Sequence, residues 1–194
     1  GKGSAHRLPV WSYWAGRTAS HTRLTAPEES LRSLVTFLAC EALTHLTHNQ
    51  LEILGIQSVL TLIYPSFDES KIHTEQAFLK VCNDWLTMRL SPFLDAQIRR
   101  IDLLHLESLS CARASDLGEY PLESKLEFWK CRDFGFTKDA LFQLPIGEKI
   151  KIWWEELGLK QVKLTTTGQL VGLNVVETMG KTSINFEKWG EESH

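Results

Sequence analysis

The chain has 194 residues, 43% apolar and 23% charged, with a net charge of −3. These are ordinary globular values, and a chain this long buries its core without disulfides or a structural metal. The balance excludes a global field that would draw the molecule to nucleic acid, and no apolar run reaches the ~20 residues that a membrane-crossing helix needs.

Charge is unevenly distributed. Residues 1–24 carry Lys2, Arg7, Arg17 and Arg23 and no acid, which leaves 17 basic and 24 acidic residues, a net −7, in the remainder. A basic arm is therefore joined to an acidic body. Within the arm, Trp11, Tyr13 and Trp14 lie between Pro9 and Gly16. Three readings follow: the aromatics fold back onto the body, they engage a protein partner, or they stack on bases while Arg7, Arg17 and Arg23 hold phosphates. The opening "GKGS" reads either as an expression-tag remnant or as part of an acid-free flank like that of an organelle transit peptide.

The first predicted helix spans "TAPEESLRSLVTFLACEALTHLT", opened by a capping-box pattern of Thr25 and Glu28. Leu31, Leu34, Val35, Leu38 and Ala42 recur at helical spacing and are expected to face inward. "NQLEILGIQSVLTLIYP" is apolar nearly all round, the pattern of a central buried helix ended by Pro65. "TEQAFLKVCNDWLTMRL" places Ala77, Phe78, Val81, Trp85 and Met88 on one face, and "FLDAQIRRIDLLHLESL" places Leu94, Ile98, Ile101 and Leu104. Residues 25–111 thus read as a four-helix bundle or helical stack. Arg99 and Arg100 with Asp95 and Asp102 read as a solvated face.

Residues 112–124 mix Gly, Pro, Ser and Asp and read as a linker. Residues 125–194 then form a small module. "KLEFWKCRDFGF" suits a strand or a short helix; "TKDALFQLP" is a helix capped by Thr137; "GEKIKIWWEELG" is another, with Gly158 as its C-cap. "QVKLTTTGQLVGLNVV" reads as two strands around a turn, and "KTSINFEKW" as an edge strand. The fold class expected is α+β, mostly α: a helical bundle followed by a helix-helix-hairpin, winged-helix-like module.

A nucleic-acid-reading wing would need basic side chains. The preceding helix exposes three acids against two bases, and the wing offers only Lys160 and Lys163. Trp153 and Trp154 are adjacent, so either one is core and the other an interface anchor, or both lie in a groove between the module and the bundle.

Catalytic patterns are absent. No G-x-S-x-G or H-E-x-x-H occurs, and "MGKTS" has the end of a P-loop with Val175 where its first glycine belongs. Cys40, His45 and His48 form the most suggestive metal cluster but supply too few converging ligands. Cys40, Cys82, Cys111 and Cys131 contain no CxxC pair and fit a reduced, intracellular protein, cytoplasmic or nuclear, with organelle import left open. No cofactor or metal is expected. The leading expectation is a non-catalytic protein–protein interaction domain, a subunit or adaptor of an intracellular assembly. The alternatives are nucleic-acid binding through the arm and the C-terminal module, and an enzyme with a dispersed site.

Overall fold

A computed structural model describes residues 28–114, 119–120 and 122–180. The basic arm with Arg7, Trp11, Tyr13, Trp14, Arg17 and Arg23, the capping residue Thr25 and the expected strand at 181–189 lie outside the described residues. Within them the fold is α+β and mostly α, with eight α-helical segments and two small antiparallel sheets.

The helices of the first half are α1 (Glu28–His45), α2 (His48–Thr61), α3 (Glu75–Leu90) and α4 (Arg100–Ser108). Helix α2 starts in a full capping box: Thr47 accepts from the Gln50 N–H while the Gln50 side chain accepts from the Thr47 N–H. Its all-round apolarity makes it the centre of the molecule, with Ile53, Leu54, Ile56, Val59 and Leu60 buried. Helix α3 is capped by Thr74 and buries the i, i+4 row Phe78, Cys82, Leu86 and Leu90. Val81 and Met88, expected inside, are exposed.

Helix α4 is shorter than its apolar pattern predicts. Pro92 seeds a 3₁₀ turn at Ser91–Phe93, and the chain then runs out of helix until Arg100. Asn49 holds that stretch: its Nδ2 donates to the Gln97 carbonyl (2.6 Å) and its Oδ1 accepts from the Gln97 N–H (2.9 Å). The expected solvated face is also corrected. Asp102 is buried, and it accepts from Arg99 Nε (2.8 Å), Asn49 Nδ2 (3.0 Å) and Gln50 Nε2 (3.2 Å). These bonds lock α4 to the start of α2, and the Arg99 guanidinium, ahead of the amide donors, holds the Asp102 carboxyl below its ordinary value.

The second half begins with β1 (Ala112–Ala114), followed by the short α5 (Glu123–Leu126) and a tight hairpin of β2 (Lys130–Cys131) and β3 (Phe134–Gly135). Residues 125–136 thus hold both a helical turn and strands. The hairpin lies beside an aromatic cluster in which Trp129 stacks on Phe136 at 5.3 Å and meets Trp85 edge-on at 5.1 Å. Then come α6 (Lys138–Gln143), capped by Thr137, α7 (Gly147–Lys151) with a π-helical turn at Ile152–Glu156, and β4 (Val162–Leu164). Gly158 closes the π turn in the left-handed conformation, φ 87°, which glycine adopts without a Cβ penalty.

The winged-helix hairpin is absent. Only its first strand exists, as β4, and it pairs antiparallel with β1 through Ala112↔Leu164, Arg113↔Lys163 and Ala114↔Val162. The rest is a helix, α8 (Thr166–Gly180). Two causes outweigh the β-branched composition of "QLVGLNVV". Thr165 starts the helix by accepting from the Gly168 N–H. Val171, Leu173, Val175 and Val176 then find buried positions against the rest of the core. Gly172 makes the approach close: a Cβ there would fall on Ser58 Oγ and lie 2.5 Å from the Leu54 carbonyl oxygen. One hydrophobic cluster runs from Ala39 to Val176 and draws on residues both before and after the segment 112–124.

Candidate functional site

Helix α1 carries more apolar residues than its neighbours cover. Ala39 and Ala42 form its buried row. Leu34 is 51% exposed, Phe37 65% and Leu38 39%. Spaced i, i+3, i+4, they share one face, so they form a single apolar stripe on the outside of a helix. Leu34 and Leu38, expected inside, are instead its flanks. The periodicity of α1 is helical in either case; what the sequence hides is that small residues do the packing and large ones face out.

The two adjacent indoles resolve differently. Trp153 and Trp154 are buried, at 1% and 2% exposure, so neither stands on the outer surface. The π turn is the reason. The Leu157 N–H donates to the Ile152 carbonyl (2.9 Å), and the wider turn brings consecutive side chains closer in direction than an α-helical turn does. Lys149 Nζ lies 5.4 Å from the Trp153 ring centre, while Trp154 lines a cleft with residues of α2 and β4.

Lys160 and Lys163, the nucleic-acid candidates of the C-terminal half, are engaged locally. Lys160 Nζ meets Glu119 Oε1 at 2.6 Å and Glu155 Oε2 at 3.1 Å. Lys138 continues the chain of charges, 3.1 Å from both Glu155 and Glu123. Hydrogen bonds from Lys160 and then Lys138 hold the Glu155 carboxyl below its ordinary value, and Glu119 and Glu155 raise Lys160 above its own. The network clasps α5, α6, the π turn and the start of β4 together. Lys163 Nζ lies 5.8 Å from the Tyr120 ring centre.

Cys40, His45 and His48 do not converge. His48 Nε2 sits 3.4 Å from Glu52 Oε1, and among the described residues no group of three His, Cys, Asp or Glu is placed to hold a metal ion. His105 is half-buried with Nδ1 3.0 Å from Gln50 Oε1, which makes it part of the polar lock between α4 and α2. Burial pushes the Cys82 thiol up to about 12 and Cys111 up to about 11, so neither is a thiolate nucleophile near neutral pH. Among the described residues, no helix is long and apolar enough to cross a membrane.

Set against known protein families, curated proteins and solved structures, the chain gives no significant match. Its functional reading therefore rests on its own surface.

Proposed function

We propose that this chain is a non-catalytic protein-interaction domain, a subunit or adaptor of a larger assembly, and that it docks through the α1 stripe. The observation that supports this most directly is Phe37, left 65% exposed between Leu34 and Leu38 on a regular helix. Three large apolar side chains on one helical face are the anchor pattern of helix-mediated recognition. The partner we infer is another protein whose contact surface is apolar and rimmed by basic residues. Charge complementarity argues for that rim, since residues 25–194 carry a net −7. The locked state of Lys160 argues against phosphate contacts in the C-terminal half.

The test compares the wild-type chain with Phe37→Asp, purified at native expression from its own cells and sized by light scattering. The expected result is a stoichiometric partner that the wild type retains and the variant loses, with unchanged circular dichroism. A wild-type monomer with no partner, or a partner held equally by both proteins, would overturn the reading. A concentration-dependent homodimer lost in the variant would reassign the stripe to a second copy of this chain.

A further inference from the structure

A second feature of the surface is a cleft of about 240 Å³ between the end of α2, α5, the π turn and β4. Its walls are fixed by bonds that have no need of a ligand. Gln57 spans the gap from α2: its Nε2 donates to the Leu159 carbonyl (2.9 Å) and the Val162 carbonyl (3.0 Å). These two acceptors set the orientation of the amide and commit both of its hydrogens. Tyr120 is held by its own N–H, which donates to the Lys160 carbonyl at 2.7 Å, and Lys160 is pinned by its two carboxylates. The π turn holds Trp154 in place as a further wall.

What these groups leave unused defines a ligand. Gln57 is 2% exposed, yet its Oε1 accepts no hydrogen bond among the described residues. Nor is that oxygen sealed away, unlike the enclosed and unpaired Ser58 Oγ and Trp129 Nε1. It opens on the cleft that Gln57 lines, where a ligand N–H or O–H can take the place of solvent. At the rim, Lys125 and Lys163 face no carboxylate among the described residues, in contrast to Lys138 and Lys160. Tyr120, half-buried, offers flat apolar surface in the same cleft, while Trp154, 2% exposed, adds no open ring face.

We infer that this cleft binds a small planar organic anion: an aromatic carboxylate that also carries a hydrogen-bond donor. The carboxylate sits between Lys125 and Lys163, the ring lies against Tyr120, and an N–H or O–H donates to Gln57 Oε1. The volume falls below the ~300–1,000 Å³ of drug-sized pockets, which limits the ligand to about ten to fifteen non-hydrogen atoms. The assignment concerns binding and is independent of the α1 stripe.

The experiment titrates the full chain with salicylate and follows the indole N–H resonance of Trp154, identified by its loss in Trp154→Phe. A saturable shift is expected, with Kd on the order of 1 mM or tighter, the scale for about ten heavy atoms. Benzoate, which lacks the hydroxyl donor, and phenol, which lacks the anion, should each bind more weakly. The double variant Lys125→Met, Lys163→Met should weaken salicylate about tenfold, as two partly screened ion pairs warrant, with the remaining resonances unmoved. No shift at about 10 mM salicylate, a concentration well above that Kd, overturns the site. So does equal affinity in the double-lysine variant. Inorganic phosphate reproducing the full salicylate response would overturn the ligand class, since the Tyr120 ring would then have no part in recognition.

Discussion

Helices α1 and α2 are neighbours in sequence, both rich in leucine, and they meet opposite fates. Helix α2 is buried on nearly every side, and Gly172 lets α8 come against it until backbone and side chain touch. Helix α1 packs through Ala39 and Ala42 and turns Leu34, Phe37 and Leu38 outward. Apolar content is thus common to both, and the difference lies in which residues are small. Close approach needs alanine and glycine, and a helix that packs through its small residues has its large ones left for something else.

The comparison breaks most visibly if the close crossing is spoiled. Gly172→Val should cost about 3 kcal/mol through overpacking against Leu54 and Ser58, a fall in Tm of roughly 6–12 °C for a chain of this size. Calorimetry showing less than ~1 kcal/mol, the low end of overpacking costs, would mean that α8 can slide along α2.

Acid should come next. Asp102 and Glu155 titrate below their ordinary values of 3.8 and 4.5 in the folded chain. Groups depressed in this way stabilise the fold above those ordinary values and lose that contribution as pH falls through the lower folded ones. Tm measured against pH should therefore be level in these contributions above about pH 5 and drop below about pH 4. Asp102→Asn should flatten part of the drop by removing one of the two titrations.

Ser58→Ala probes the same crossing from the other side. The Ser58 hydroxyl is fully enclosed with no hydrogen-bond partner, so its removal should leave the protein between unchanged and about 1 kcal/mol more stable by denaturant titration. The smallest effect on stability belongs to α1. Phe37→Asp should shift the unfolding free energy by no more than about 0.5 kcal/mol, as expected for an exposed position, while abolishing association. A large destabilisation there would show that the stripe is covered within the chain itself.

Much of the fold was legible where local signals and tertiary demands agree. The central helix followed from its all-round apolarity, α6 from Thr137, and the end of the π turn from Gly158. The failures share a cause. "QLVGLNVV" has strand composition, and nothing local to it reveals that Leu54 and Ser58 of α2 wait at glycine-width distance from Gly172. Helix α4 starts late because Asn49 captures Gln97, a contact invisible to any periodic pattern. The candidate sites were hidden for the same reason. The exposed stripe was legible as apolar but not as outward, and Gln57 gave no signal until Leu159 and Val162 were brought to it.

The pairing of α2 with α8 also fixes when this protein can fold. Helix α2 leaves the ribosome about a hundred residues before the helix that lies against it, and β1 waits roughly fifty residues for β4. Contacts of such long range carry a large loop-closure cost and slow folding. Through that interval α2, buried on nearly every side in the folded chain, lacks its main cover, which makes it the segment that a holding chaperone would meet first during synthesis.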